Sequence, residues 1–168
     1  MTILLFFCNK LGEVAVPKWA YSITGLDPDK TAKASGRELK ISPKAAREIC
    51  AAIKGLKLDE AKELLQRVVD KKQPIPYRRY KKEVPHRHGI EGWYAGKYPV
   101  RAAKEILSVL EGLEANAGYK GLDLDKLRII HAAAQRARKI RKFIPRAFGR
   151  SSPYFDKLTH VELVVSEE

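Results

Sequence analysis

The feature that most constrains this chain is a strongly basic stretch near its C-terminal end. From Arg136 to Arg150 the sequence RARKIRKFIPRAFGR carries seven basic side chains, five of them Arg, and no acidic one. No Asp or Glu occurs from Arg128 to Phe155, although the whole chain holds 20 acidic residues. Such a run of like charges repels itself unless a polyanion neutralises it. Because guanidinium groups match phosphates and stack on bases, nucleic acid is the simplest partner.

The residues around this stretch predict a reversal of the chain. Pro145 and Gly149 favour a turn before Pro153. Leu158–Val165 is β-branched and partly alternating, which predicts a strand. The preceding residues 132–137 are rich in Ala, Gln and Arg, which are strong helix formers. Two arrangements are therefore open: a helix that leads into a strand, or one long hairpin over about 127–165 with a basic tip.

Charge and composition restrict the class of protein. A net charge of +13 in 168 residues favours a nucleic-acid partner, with an anionic membrane surface as the lesser option. A hydrophobic fraction of 45% allows one well-packed domain, expected over 18–168. Two cysteines are too few for a disulfide framework, so a reduced, intracellular compartment is expected. The apolar run at residues 3–8 is too short to span a bilayer, which predicts no membrane insertion and a leader of uncertain order over 1–17.

The middle of the chain predicts three amphipathic helices. Ser42 and Pro43 are an N-cap and a first helical residue, and Gly55 ends that helix. The expected helices cover about 43–54, 59–70 and 99–116. Before them, the turn-rich residues 19–36 are expected to form an irregular arm on a partner, and residues 37–41 a short strand.

A second basic region lies between the second and third helices. Its three prolines and three glycines argue against regular structure between Pro74 and Gly96. A solvated loop would explain its charge but not its five aromatic residues, which favour base stacking. Residues 74–98 are therefore predicted to be an RNA-binding loop whose cations are Arg78, Arg79, Lys81, Lys82 and Arg87.

No residue pattern predicts catalysis, a metal or a cofactor. His86 and His88 have no third ligand nearby in sequence. Asp27 and Asp29 lack the later ligands of a calcium loop. No phosphate-binding glycine loop, zinc-protease helix or nucleophile elbow occurs, so the chain is expected not to be an enzyme.

The order of several short motifs resembles the L-twenty-two family of large-subunit ribosomal proteins, in its archaeal and eukaryotic form. The sharpest match is Pro145-Arg-Ala-Phe-Gly-Arg150 followed by Thr159-His-Val-Glu162. The resemblance covers about Trp19 to Val165, and the other matching segments are Tyr21–Gly25, Lys40–Arg47, Tyr98–Lys104, Glu114–Ala117 and Gly121–Asp123.

This resemblance implies an α+β fold in which three helices pack on a small antiparallel sheet and a long basic β-hairpin projects from it. It implies a strand, not a helix, for Ala132–Lys142. The family's hairpin runs through ribosomal RNA to the peptide exit tunnel, where its tip helps to line the wall. The small side chains of Ala132, Ala133 and Ala134 would suit a thin rod between RNA helices.

The resemblance also implies the site residues and partners. The basic arm expected to bind ribosomal RNA is Arg136, Arg138, Lys139, Arg141 and Lys142, and the tunnel-side tip is Pro145, Arg146, Phe148, Gly149 and Arg150. The implied partners are large-subunit ribosomal RNA, neighbouring ribosomal proteins and the nascent peptide. The alternative from another class is a free-standing RNA- or DNA-binding regulator with a basic wing.

Overall fold

The computed structural model describes residues 20–167, so the predicted leader over residues 1–17 lies outside the described part of the chain. The long elements are β1 (Thr31–Leu39), α1 (Pro43–Ile53), α2 (Leu58–Val69), α3 (Val100–Tyr119), β4 (Leu127–Ile140) and β7 (Asp156–Glu167). The short strands are β2 (Ile75–Pro76), β3 (Gly96–Lys97), β5 (Phe143–Pro145) and β6 (Ser151–Pro153). A 3₁₀ turn at Leu124–Lys126 precedes β4.

Strand β7 is the centre of the main sheet, whose strand order is β1-β7-β4. Both neighbours run antiparallel to it, with Thr31 opposite Ser166 in β1 and Leu127 opposite Glu167 in β4. Every residue of β7 from Val161 to Val165 is buried. A strand that is paired on both edges and covered along its length is expected to be mostly β-branched and apolar, as Val161, Val164 and Val165 are. Glu162 is the exception, and its carboxylate accepts hydrogen bonds from the N–H of Ser22 at 3.0 Å and from the Ser22 hydroxyl at 2.7 Å.

The three helices form a layer against this sheet. α1 packs on β4, α3 packs on β1, and α2 packs on α3. The predicted helix bounds are confirmed within one to three residues, including Pro43 in the first turn of α1. The side chains that fill the interface are aliphatic and fully buried: Ile49, Ile53, Leu65, Ile106, Leu110, Leu113, Leu127, Ile129 and Leu163. The predicted α+β class is therefore confirmed.

One segment differs from expectation. Residues 31–36 were predicted to belong to an irregular arm, but they form the first two-thirds of β1. Thr31 and Ala32 are buried, and Gly36 lies so close to α3 that a Cβ atom there would be 2.7 Å from Cγ2 of Val109. Small residues are needed at this close strand–helix contact, and small residues give a weak strand signal in sequence.

The strand that the resemblance implies for Ala132–Lys142 is confirmed as far as Ile140, because β4 extends from Leu127 to Ile140. Its pairing with β7 overrides the helical preference of its composition. The three alanines of β4 lie opposite Val161–Leu163 within the main sheet, and Ala132 and Ala134 pack against the core. Their small size therefore serves packing in the domain, which contradicts the expectation that they form a thin rod between RNA helices.

Beyond the main sheet the chain continues as a two-stranded ribbon. β1 ends its pairing at Leu39, opposite Thr159, whereas β4 and β7 stay paired as far as Ile140 and Asp156. β5 and β6 then pair with each other, which confirms the predicted reversal between Pro145 and Pro153. All ten residues from 141 to 150 are exposed. This two-stranded ribbon, residues 137–158, is called the distal hairpin below.

Candidate nucleic-acid interface

The tip of the distal hairpin is a tight turn with an unusual residue in it. The N–H of Arg150 donates to the carbonyl of Ala147 at 3.4 Å, and the N–H of Arg146 donates to the carbonyl of Arg150 at 2.8 Å. The central residues Phe148 and Gly149 both have positive φ, 58° and 65°. Hairpin turns of this form favour Asn-Gly, and a bulky residue in the first position is strained. Phe148 nevertheless stays there with its side chain 92% exposed.

Further apolar side chains are exposed along the distal hairpin. The rings of Phe143 and Phe155 meet edge to face with centroids 6.0 Å apart, and both remain largely exposed. The other exposed large apolar residues here are Ile140, Ile144 and Tyr154. Exposed apolar side chains concentrated in one segment indicate a surface that a partner covers.

Two of the five predicted basic-arm residues already have carboxylate partners. Arg138 forms a two-point ion pair with Glu38 of β1, with nitrogen–oxygen distances of 3.0 Å. Lys142 lies 2.7 Å from Asp156, which also pairs with Lys40 at 3.1 Å. The hydrogen bonds from Lys142 and Lys40 lower the pKa of Asp156 below its ordinary value. These two cations therefore anchor the base of the hairpin as well as adding positive charge.

The remaining cations of the distal hairpin and its base are exposed, and within residues 20–167 no carboxylate lies at ion-pair distance from them. They are Arg136, Lys139, Arg141, Arg146, Arg150 and Lys157. Lys139 even lies directly opposite Lys157 in the β4–β7 ladder. Like charges at opposed positions destabilise a ladder, so this arrangement is favourable only beside a polyanion.

The predicted loop over residues 74–98 is held in place by a buried acid. Glu48 of α1 is 2% exposed, and its carboxylate accepts hydrogen bonds from the backbone N–H groups of Arg78 at 3.1 Å and Arg79 at 3.3 Å. Arg47 donates to the same carboxylate at 3.0 Å. Sequence reasoning missed Glu48, because a single acid on an amphipathic helix is ordinarily a solvated residue.

The aromatic residues of this loop divide into structural and exposed ones. Tyr77 is 6% exposed, and the indole N–H of Trp93 donates to its carbonyl at 3.0 Å. Burial, and secondarily the negative charge of Glu48, raises the pKa of Tyr77 to about 12. Tyr94 is 46% exposed and stacks on Trp93 with centroids 5.1 Å apart. Tyr77 therefore packs within the domain, whereas Tyr94 remains available as a stacking surface.

The predicted cations of the loop are exposed, and three of them lie over aromatic rings. Lys81 is 5.5 Å and Arg78 is 6.0 Å from the ring centre of Trp93, and Arg87 is 5.5 Å from that of Tyr98. Such contacts restrict long side chains and orient their charged ends. The other two, Arg79 and Lys82, lie beside the N-terminal end of α1.

Nothing in the described range resembles a metal or redox site. No group of three or more His, Cys, Asp or Glu residues is clustered there. The ring of His86 packs against the ring of Tyr94 with centroids 4.9 Å apart, so His86 has a packing role in the loop. Burial raises the pKa of the Cys50 thiol to about 12, so that thiol is unreactive at neutral pH. Among the described helices, none has the length and apolar character that crossing a membrane requires.

Comparison with known proteins agrees with this geometry. Residues 34–166 match the family model described as ribosomal protein L22p/L17e. The large ribosomal subunit protein uL22 of Methanopyrus kandleri is 57% identical over 152 residues, which cover 89% of this chain and 96% of that protein. The protein of the same name from Archaeoglobus fulgidus is 56% identical over 144 residues, covering 86% and 93%.

A third relative, uL22 of Methanocaldococcus jannaschii, is 46% identical over 154 residues, which cover 92% of this chain and 98% of that protein. The matches extend across the helices, the loop over residues 74–98 and the distal hairpin. They confirm the resemblance seen in the short sequence motifs. The chain belongs to the ribosomal protein L22p/L17e family, a family of structural proteins and not of enzymes.

Proposed function

We propose that this protein is a structural constituent of the large ribosomal subunit in the cytoplasm that binds large-subunit ribosomal RNA and aids its assembly. In this proposal the distal hairpin passes through RNA and its tip lines the peptide exit tunnel. The observation that carries the proposal is the exposed, carboxylate-poor hairpin, in which Arg141, Arg146 and Arg150 have no ion-pair partner among residues 20–167.

The distal hairpin needs a partner to be stable. A two-stranded ribbon with exposed apolar side chains and mutually repelling cations has little to hold it together in water. Phosphates remove the repulsion, and bases cover the aromatic rings of Phe143, Tyr154 and Phe155. The proposed contacts are mainly to the RNA backbone, because isolated Arg and Lys side chains position a protein without reading a sequence.

The tip supplies the argument for the tunnel. Phe148 is exposed in a strained conformation at the farthest point of the turn, where it contributes nothing to the core of the domain. Strain at an exposed position is retained where a function requires the side chain. We infer that Phe148 and the flanking Arg146 and Arg150 contact the tunnel wall and the nascent peptide. Neighbouring ribosomal proteins are the remaining partners that the family implies.

The test of incorporation is sedimentation of the tagged full-length chain from a cell extract, in low salt and then in high salt. The chain is quantified against a known large-subunit protein. Stoichiometric co-migration that survives the salt wash is the expected result. Loss of the chain to the top of the gradient would contradict the proposal and favour the free-standing RNA- or DNA-binding regulator.

The role of the hairpin is tested by two triple variants with equal loss of charge. Arg141→Gln, Arg146→Gln and Arg150→Gln together neutralise the distal hairpin, whereas Lys54→Gln, Lys71→Gln and Lys72→Gln neutralise exposed lysines near the ends of α1 and α2. We expect the hairpin variant to incorporate poorly and the lysine variant to incorporate normally. Equal incorporation of both would exclude the hairpin as the principal RNA contact.

The tunnel contact needs a separate readout. A photoreactive amino acid in place of Phe148 is expected to cross-link to ribosomal RNA and to stalled nascent chains, whereas the same amino acid at Lys71 is not. Cross-links to RNA alone would retain the ribosomal role and remove the contact with the nascent peptide.

A further inference from the structure

A second basic surface lies on the globular domain, away from the hairpin tip. The N-terminal ends of α1 and α3 and the loop after β2 enclose a groove of about 750 Å³. Three tyrosines line it, Tyr77, Tyr80 and Tyr98, and no Asp or Glu does. The cations that line it are Lys40, Lys44, Arg79, Lys82, Lys97 and Arg101.

Two of the six cations of this groove lie over aromatic rings, and one pairs with a carboxylate. Lys44 lies 5.6 Å from the ring centre of Tyr80, and Lys97 lies 5.9 Å from that of Tyr77. Lys40 pairs with Asp156. In the described part of the chain, Arg79, Lys82 and Arg101 have no carboxylate at ion-pair distance. Their charges are therefore available to an anionic partner.

The wall of the groove is rigid where Arg79 enters it. The backbone N–H of Arg79 is held by the buried carboxylate of Glu48, and Tyr77 beside it is buried against the domain. Lys44 and Arg101 project from the first turns of α1 and α3, whose N-terminal ends add partial positive charge. A groove that keeps its shape and its charge without a ligand loses little entropy when it binds one.

This groove lies next to the base of the hairpin. A second cavity of about 320 Å³ shares Ser42 and Lys44 with it and is lined further by Arg136, Lys139 and Lys157. No acidic residue lines this second cavity either. The two cavities therefore adjoin at the start of α1, and their cations together extend from the loop to β4 and β7.

We propose that this groove binds the phosphate backbone of an unpaired segment of RNA, as a site distinct from the distal hairpin. The inference rests on the proposed function and adds to it a second RNA contact and the kind of RNA that makes it. A volume of about 750 Å³ is the size that encloses a drug-sized molecule, and so one or two nucleotides. A double helix does not enter such a space, whereas a single strand does.

The composition of the groove favours RNA over an acidic protein segment. The half-buried rings of Tyr80 and Tyr98 offer stacking surface to bases, which an acidic peptide does not need. The groove also adjoins the cations at the hairpin base, so one strand of RNA passing along both cavities stays in contact with positive charge.

The experiment measures binding of the purified full-length protein to a fluorescent oligouridylate of about 12 nucleotides over a series of salt concentrations. The groove variant carries Lys44→Gln, Arg79→Gln and Arg101→Gln. The control variant carries Lys54→Gln, Lys71→Gln and Lys72→Gln, which remove equal charge; Lys54 follows the opposite end of α1, about 16 Å from its first turn. Thermal unfolding and circular dichroism establish that each variant is folded.

The expected result follows from counterion release. Each lost phosphate contact lowers the slope of log affinity against log salt by about 0.7, so the groove variant is expected to lose about 2 from the slope. If the affinities converge near 1 M salt, this corresponds to about 100-fold weaker binding near 0.1 M salt. The control variant is expected to retain the slope of the unmodified protein. Should the triple variant fail to fold, Arg79→Gln alone is expected to lower the slope by about 0.7.

Three results would overturn the inference. Equal slopes for the groove and control variants, with binding by the unmodified protein intact, would remove the groove and leave the proposed function standing. Competition by poly-glutamate as effective as that by oligouridylate would assign the groove to an acidic protein segment. No binding of RNA by the unmodified protein would contradict both the groove and the proposed function.

Discussion

Arg138 of β4 and Glu38 of β1 form a two-point ion pair at the place where the hairpin leaves the sheet, with both nitrogen–oxygen distances at 3.0 Å. Glu38 has a φ of 53° and its backbone N–H donates to Nδ1 of His160, so the edge of the sheet is tied to β7 as well. A residue that sequence reasoning assigned to RNA is thus partly neutralised within the domain.

This pairing predicts unequal effects of two neighbouring arginines on RNA binding. Arg141→Ala is expected to lower the slope of log affinity against log salt by about 0.7, as the loss of one phosphate contact does. Arg138→Ala is expected to lower it by clearly less, because Glu38 already offsets the charge of Arg138. The measurement is binding of oligouridylate across a salt series. Equal slopes for the two variants would show that the ion pair opens when RNA binds.

The buried carboxylate of Glu48 predicts a loss of stability when it is removed. Glu48→Ala leaves the N–H groups of Arg78 and Arg79 without their acceptor, and we expect a fall in the free energy of unfolding of roughly 1–3 kcal/mol. Glu111→Ala on the exposed face of α3 is the matched control and is expected to change it by less than about 0.5 kcal/mol. Urea titration with Trp fluorescence measures both. An equal effect of the two variants would mean that the loop is not held by Glu48.

Two glycines are predicted to respond oppositely to alanine. In Gly36→Ala the new Cβ meets Val109 and Leu39 at 2.7 and 2.8 Å, and we expect destabilisation by about 1 kcal/mol. In Gly112→Ala nothing lies within 4 Å and the residue is in a helix, so stabilisation by roughly 0.5–1 kcal/mol is expected. Thermal unfolding measures whether each variant is more or less stable than the unmodified protein. A stabilised Gly36→Ala variant would show that β1 and α3 are less closely packed than described.

The turn at the hairpin tip predicts a gain of local order on substitution. Asn is the residue that best fits the conformation of Phe148, so Phe148→Asn is expected to slow hydrogen exchange at the N–H groups of Arg146 and Arg150. Phe148→Ala removes the ring without fitting the turn and serves as the control. Equal slowing in both variants would attribute the effect to the ring and not to the backbone conformation.

Tyr77 predicts a loss of stability at alkaline pH. Its pKa in the folded protein, about 12, lies above its ordinary value of 10.0 because the side chain is buried. As pH rises, the unfolded chain therefore loses this proton first, and the free energy of unfolding falls between these two values. In Tyr77→Phe, the free energy of unfolding is expected not to show the fall that this proton causes between the two pKa values. Ultraviolet titration should show one of the seven tyrosines ionising at a higher pH than the others. If that late ionisation is still seen in the Tyr77→Phe variant, the assignment to Tyr77 is contradicted.

The accuracy of the sequence-based predictions differs between helices and strands for a physical reason. Helix bounds follow from local signals such as Ser42-Pro43 and from apolar residues at helical spacing, and all three helices formed where these signals stand. The strand over residues 31–36 has no such local signal, because its stability comes from pairing with β7 and from contact with α3.

The candidate interface shows the same division. The position and sign of its charge follow directly from sequence, since like charges without acids nearby cannot be buried wherever the chain folds. Which cations are available to a partner does not follow from sequence. Arg138 and Arg141 are three residues apart and equally basic, yet among residues 20–167 only Arg138 meets a carboxylate, and that carboxylate comes from 100 residues away.

By itself, the amino-acid sequence determined the family, the three helices, the reversal at the hairpin tip and the excess of positive charge near residues 136–150, because each depends on residues close together in the chain. Only the tertiary structure decided that residues 31–36 belong to β1, that Glu48 is a buried anchor and that Lys44, Arg79 and Arg101 share one groove. These features depend on contacts between distant segments, whose pairing and packing free energies outweigh local preferences.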